Sequence, residues 1–413
     1  MTIRTSASAP IEAQATADER EVVWQPVPAD YNVRVLAGWQ RRWVETRAAW
    51  HILILALQAY RDIRRSVKVM KALYSFKKNI LGGIETKIVK IENKYYHSIY
   101  APAFPSDIFD RYILSEFNRI APLNSGVNRL SFIFFAITSK CPLRCEHCFE
   151  WNKLNKPESF SPAQLKAVVS KFQNGGISQF HLSGGEPMVR IKDIVPLIET
   201  GRENSEFYVL TSGFNFTATN ARTLKEAGLT GVVISLDHYD PEMHDAFRGF
   251  HNSFTDVLKA VNYAQEQNLL VAFSLCATKE FTTKEKLMQY LELAKRMKVP
   301  FVQILEPKAV GHYEGRDVSL NQSHFDILDQ FYQLVNFDPA YRDSPVIIYH
   351  GYHLRRKGCL SGGNRSLYID SEGAINACPF CHTNAVNVKD LLLTDSEIPD
   401  DILALGCSRY RSV

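Results

Sequence analysis

Three cysteines stand four and then three positions apart in the run Cys141-Pro-Leu-Arg-Cys145-Glu-His-Cys148. Thiolates at that spacing can reach one metal centre, and soft sulfur ligands select zinc or iron–sulfur clusters. Three ligands leave one position open, which a reaction needs and a purely structural site does not. An odd number of cysteines cannot all pair as disulfides. A second group lies far downstream: Cys359, Cys378, Cys381 and Cys407. Four thiolates can close a metal site completely, as one [4Fe–4S] cluster or as tetrahedral zinc. Cys407 is the weakest ligand candidate, because it stands 26 positions after Cys381 and His382 competes with it. Cys276 sits inside an apolar run and reads as a buried small hydrophobe. Between the two groups lies Gly184-Gly185-Glu186-Pro187. Paired glycines allow unusual backbone angles and close approach of a ligand; alone, the motif reads as a tight turn.

These residues must be positioned by regular elements. From residue 129 short apolar runs at 130–138, 177–182, 206–211, 230–236, 270–276 and 300–305 alternate with amphipathic stretches. The stretches lie at 162–173, 191–202, 217–227, 253–268 and 283–297. The alternation predicts an α/β fold: a partial (β/α)6 barrel, a parallel sheet with helices outside. Active sites of such sheets lie at the C-terminal ends of the strands. The first cysteine run follows the first strand and the Gly-Gly motif follows the second, so both fall at that end. Four domains are expected. They are a disordered leader over 1–30, a helical extension with a short hairpin over 31–128, the barrel over 129–340, and a small metal-binding domain over 341–413.

Composition narrows the class. The chain has 413 residues, 46% hydrophobic and 22% charged, with a net charge of +4. That is ordinary for a globular protein and gives a nucleic-acid partner no support. The N-terminus has no apolar signal core, and no run reaches a membrane-spanning length. The reading is cytoplasmic, where thiols stay reduced.

Together, the C-x3-C-x2-C run and the GGEP motif, each after its expected strand, resemble the radical S-adenosylmethionine (AdoMet) superfamily. The resemblance covers about residues 129–410. It implies that Cys141, Cys145 and Cys148 hold a [4Fe–4S] cluster whose fourth iron binds AdoMet. It implies AdoMet contacts at His147, at Gly184, Gly185, Glu186 and Pro187, and at Ser212, Ser235 and Arg248; beyond cluster and cofactor site it names no catalytic side chain. The spacing Cys359–Gly373–Cys378 resembles the opening of a SPASM domain, shortened to a one-cluster, twitch-like form with Cys359, Cys378, Cys381 and Cys407 as ligands. The implied activity is reductive cleavage of AdoMet to a 5′-deoxyadenosyl radical that abstracts hydrogen from a substrate. The electron donor would be a protein such as flavodoxin or ferredoxin.

A peptide or protein side chain leads as the substrate class, with a lipid or isoprenoid as the alternative and a non-catalytic iron–sulfur sensor as the third reading. The lipid reading comes from residues 39–78. Trp39, Trp43, Trp50, Ile54 and Leu57 share one helical face, and Arg61, Arg64, Arg65, Lys68, Lys71, Lys77 and Lys78 oppose only Asp62. Such a segment can lie at the inner face of a membrane. The expectation that prevails is the ordinary one, that this stripe packs on the main domain.

Overall fold

The structure, a computed structural model, describes residues 25–81, 87–123, 130–359, 361–381 and 386–393, with 402, 406, 407 and 409. Most of the expected leader, residues 1–24, lies outside them, as does His382.

The N-terminal extension combines a small sheet with three helices. Strands β1 (Val33–Leu36), β2 (Ile88–Ile91) and β3 (Lys94–Tyr96) pair antiparallel in that order. The expected hairpin turns at Glu92, which takes a positive φ of 52°. Helices α1 (Gly38–Tyr60) and α2 (Ile63–Leu81) form a hairpin reversed at Arg61, whose left-handed backbone closes α1 through an N–H bond to the Leu57 carbonyl. Helix α3 (Asp107–Ile120) starts at Ser106, whose side chain accepts from the Phe109 N–H.

The buried face of α1 carries Val44, Ala48 and Ala56, small enough for α2 and α3 to approach, and ends at Tyr60, whose hydroxyl donates to the Phe117 and Ala121 carbonyls. The tryptophan stripe is on the opposite face, in solvent; Trp39 is 77% exposed and Trp50 64%. The expectation that the stripe packs on the main domain is therefore overturned. A helix with two apolar faces can bury only one against its neighbours, and here the closer-packing small-residue face is buried.

The main sheet follows the expected alternation. Its strands are β4 (Phe132–Ala136), β5 (Gln179–Ser183), β6 (Glu206–Thr211), β7 (Gly231–Ser235), β8 (Leu270–Cys276) and β9 (Phe301–Leu305), all parallel. Helices α4 (Pro162–Asn174), α5 (Ile191–Gly201), α6 (Ala218–Ala227), α7 (Pro241–Arg248), α8 (Ser253–Glu266) and α9 (Lys284–Arg296) connect them. The sheet continues past residue 340. After α10 (Gln322–Phe337), β10 (Val346–Tyr349) pairs parallel with β9 and leads into α11 (His350–Lys357). At the other edge β11 (Ser366–Ile369) pairs parallel with β4 and carries the antiparallel β12 (Ala374–Asn376) and β13 (Val386–Asn387), ahead of α12 (Val388–Leu392). The C-terminal segment thus adds strands to both edges of one ten-stranded sheet.

Strand residues alternate between two cores. Phe135, Phe180, Val209, Ile234, Phe273 and Ile304 meet the outer helices, while Tyr208, Val233, Ala272, Phe301 and Ile348 face inward. The inward residues pack on Val89, Ile91, Tyr96 and Ile99 of the extension. The extension therefore stops the N-terminal end of the barrel. Tyr100 follows it inside: its hydroxyl donates to Gln303 on β9 at 2.8 Å, and its ring lies against Phe132 and Phe134 on β4. Those strands are five places apart, about 24 Å in a flat sheet, so a single side chain meets both only because the sheet curls into an open barrel.

Candidate active site

The first cysteine run leaves β4 and is pinned on three sides. Asn155 takes the Cys141 N–H at 3.1 Å and returns a bond to the Cys141 carbonyl at 3.2 Å. The end of α7 accepts from the loop, Arg144 N–H to the Arg248 carbonyl and Glu146 N–H to the Phe247 carbonyl. Gly249 takes φ 57° there, where a Cβ would press on the Arg144 backbone. On the third side the His312 N–H meets the Cys148 carbonyl at 2.9 Å and His312 Nδ1 meets the Cys145 carbonyl at 3.0 Å. A carbonyl only accepts, so Nδ1 carries the proton. The His312 ring stacks flat on Trp151 at 3.8 Å.

Cys145 Sγ lies 3.6 Å from Arg248 Nη1. Arg248 also pairs with Asp237 at 2.5 Å, and Asp237 Oδ1 accepts the Cys276 N–H at 2.8 Å. Burial opposes ionisation of Asp237, but the Arg248 guanidinium outweighs it and holds the carboxyl below its ordinary range. Burial pushes the Cys141 and Cys148 thiols up to about 12 and also raises Cys145, with Arg248 opposing. Thiolates in this pocket need a cation, which iron would supply. Among the described residues no three His, Cys, Asp or Glu side chains converge on a single ion. A cubane spreads its thiolates over separate irons, so the three cysteines fit a cluster better than a lone ion.

The Gly-Gly motif runs back along this loop. Gly185 N–H donates to the Thr138 carbonyl and Glu186 N–H to the Lys140 carbonyl, each at 2.8 Å. Gly184 has φ 142°, and a Cβ on either glycine would overlap backbone at Thr138 or Lys140. Any side chain at either glycine would force the two loops apart. Pro187 starts the short turn after it. The Glu186 carboxylate faces inward, accepting from Thr211 Oγ1 at 2.7 Å, Ser212 N–H at 2.8 Å, Ser212 Oγ at 2.7 Å and Met188 N–H at 3.1 Å. Burial raises its pKa against those bonds. Glu186 and Ser212 thus tie the exits of β5 and β6 to each other, which their assignment as two ligand contacts did not anticipate. Arg248 likewise serves Asp237 and Cys145. His147 is half-buried, stacks on Phe247 at 4.9 Å, and has no hydrogen-bond partner for Nδ1 among the described residues. Burial lowers its pKa to about 4. Gly184 and Gly185 thus press on the backbone that leads into the cysteine loop, while the ring of His147 lies beside Cys148 with Nδ1 unpaired among the described residues. Ser235 ends β7 half-buried on the inner face.

The sequence reading missed the floor of this site. His181 on β5 has both ring nitrogens without a partner among the described residues and stacks on Tyr208 at 5.0 Å. Tyr100 contacts His181 and His350. His350 keeps part of its surface in solvent, yet desolvation lowers its pKa to about 4.

The C-terminal cysteines gather beside this site. Cys378 and Cys381 face each other across a bridge, and Cys381 Sγ lies 3.7 Å from Cys407 Sγ. Gly362 donates to Cys359 Sγ at 3.3 Å, and a Cβ there would stand 3.3 Å from the Ala377 carbonyl, which places Cys359 next to Cys378. The hydrogen bond from Cys381 and then burial raise the Cys378 thiol. Phe149, directly after Cys148, packs edge-on against Phe380 at 5.7 Å, and Glu150 accepts from the Tyr368 hydroxyl at 2.7 Å. The two cysteine groups are thus joined through Phe149 and Phe380.

A model of the Radical SAM superfamily matches residues 135–297. The GTP 3′,8-cyclase of Pasteurella multocida is 25% identical over 282 residues, 64% of this chain and 77% of that protein. The AdoMet-dependent heme synthase of Oleidesulfovibrio alaskensis is 24% identical over 296 residues, 65% and 74% respectively. The structure of Streptococcus suis SuiB bound to precursor peptide SuiA aligns with a TM-score of 0.54 at 14% identity, over 83% of this chain and 81% of that one, a likeness of fold. The cysteine loop, the Gly184–Gly185 turn and the parallel strands β4 to β8 therefore belong to a radical SAM domain matched over residues 135–297, the domain of enzymes that hold a [4Fe–4S] cluster and AdoMet.

Proposed function

We propose that this chain uses a [4Fe–4S] cluster on Cys141, Cys145 and Cys148, with AdoMet bound along Gly184–Pro187 and His147, to oxidise a peptide or protein side chain. The observation that carries it is the Phe149–Phe380 contact, which sets a second cysteine group of four directly beside the first. When bound and reduced by a donor such as flavodoxin or ferredoxin, the cluster supplies the electron that splits AdoMet into methionine and a 5′-deoxyadenosyl radical, which takes hydrogen from the substrate. This chain's own residues do the rest. Arg248 holds positive charge against Cys145. Tyr100 and the β1–β3 sheet close the floor, excluding water from a reactive centre. Cys359, Cys378, Cys381 and Cys407 would hold a second [4Fe–4S] cluster able to accept an electron from the substrate; zinc there would make the domain structural.

The peptide assignment draws on SuiB, whose peptide-bound structure is alike in fold over most of this chain. A lipid or isoprenoid is the second reading, favoured by the outward stripe of α1. Anaerobic reconstitution with dithionite and AdoMet, with iron counted per chain, is the first test. About eight irons and 5′-deoxyadenosine are expected; about four irons with one zinc would remove the second cluster. Extract fractions that stimulate 5′-deoxyadenosine formation should lose that effect on protease treatment. An effect that survives protease and partitions into organic solvent would move the substrate to the lipid class.

A further inference from the structure

Twelve large hydrophobic side chains are exposed among the described residues, and nine of them lie on α1 and α2. On α1 they form one line: Trp39, Trp43, Trp50, Ile54 and Leu57 fall within a narrow sector at 3.6 residues per turn. The line is about 27 Å long at 1.5 Å per residue, so it lies along the protein surface. It faces away from Val44, Ala48 and Ala56, which already meet α2 and α3. Trp43, Trp50 and Ile54, with Phe104 behind them, line a shallow groove of ≈ 400 Å³. A continuous apolar patch of this kind marks an interaction surface rather than scattered exposed residues.

Charge identifies the partner. Residues 38–81 hold ten Lys and Arg against Glu45 and Asp62, a net +8, whereas the whole chain is only +4. The rest of the protein is therefore net negative, and the hairpin carries its positive pole. Both acids are engaged: Glu45 pairs with Arg41 and Lys77, and Asp62 accepts the Arg65 N–H. Arg42, Arg47, Arg61, Arg64, Lys68 and Lys71 are exposed, and the Arg47 guanidinium stacks over Trp43 at 4.7 Å. Tryptophan prefers the membrane–water boundary, and basic side chains beside it are drawn to anionic headgroups. No helix among the described residues is long and apolar enough to cross a membrane, so the contact is one of lying on the surface.

We propose that the outward face of the α1–α2 hairpin docks this protein on an anionic lipid bilayer, α1 lying flat with its tryptophans at headgroup depth. The inference is independent of the substrate, since a peptide or a lipid could be presented there. The test is co-sedimentation of the full, cluster-loaded chain with vesicles of phosphatidylglycerol and phosphatidylcholine in equal parts, against phosphatidylcholine alone. Binding to the anionic vesicles is expected, weakening as salt rises. The triple variant Trp43→Glu, Trp50→Glu, Ile54→Glu should bind about tenfold less or worse, with iron content and 5′-deoxyadenosine formation unchanged because these residues touch neither cysteine group. Lys68→Glu with Lys71→Glu should remove much of the salt-dependent part. Failure of the wild-type chain to bind anionic vesicles, or equal binding by the triple variant, overturns the proposal. So does a wild-type dimer that ignores vesicles and becomes monomeric in the triple variant, which would make the face a contact between two copies.

Discussion

Asp237 and Arg248 pair inside the protein, and truncating either leaves the other charge stranded. Asp237→Ala is expected to cost about 3–5 kcal/mol, read by chemical denaturation; a loss well under that range would mean the pair is solvated. Arg248→Ala should in addition loosen the cluster, because the cation near Cys145 is gone, so iron should leave faster during gel filtration than from wild type. Cys145→Ala should abolish 5′-deoxyadenosine formation, and retained formation would remove the loop from the reaction. The cysteines were legible because thiolates at short spacing have few other uses. The side-chain partners of Glu186, Ser212 and Arg248 were not: each forms with residues distant in sequence, and a motif does not show whether a carboxylate turns toward a ligand or toward the next strand.

At the scale of elements, charged ties hold the late part of the chain to the barrel. Lys87, at the entry to β2, sends its ammonium into the end of α10, bonding the carbonyls of Val335, Tyr341, Ser344 and Pro345 at 2.7–3.0 Å. A cation suits a helix C-terminus. Lys87→Met should cost about 3 kcal/mol by leaving these carbonyls unpaired, and an unchanged denaturation midpoint would refute that role. Glu306, just beyond β9, accepts from Lys308 at 2.9 Å, from the Tyr349 hydroxyl at 2.8 Å and from Arg355, which also reaches Asp329 on α10 at 2.5 Å. Burial would raise the Glu306 pKa, but these cations and the hydroxyl outweigh it and hold it below its ordinary value. Its stabilisation is therefore complete above the ordinary carboxylate range near about 4.3 and is lost as pH falls through the depressed folded value. Glu306→Gln should flatten the acid limb of the stability curve; an identical acid limb would discount the network. The six central strands and five connecting helices were readable from apolar periodicity. Strands β10 and β11 were not, since each is four residues long and its place at a sheet edge depends on pairing with distant strands.

For the whole molecule, the extension is the floor of the barrel and the C-terminal segment is its second edge. Cys381→Ala should leave 5′-deoxyadenosine formation measurable, lower the iron content by about four atoms and block product; normal product yield would make the second group dispensable. The place of β11 beside β4 also bears on biosynthesis. β4 leaves the ribosome early with the sequence Phe132-Ile-Phe-Phe-Ala136, and one of its edges has no strand to pair with until Ser366–Ile369 is made. At about 5–20 residues per second, that edge stays open for roughly 10–45 seconds of translation. An unpaired aromatic strand edge is a template for the wrong partner, so the nascent chain carries its greatest aggregation hazard late, and expression should respond more to chaperone supply and to slow-translating codons between β4 and β11 than the stability of the finished fold would suggest.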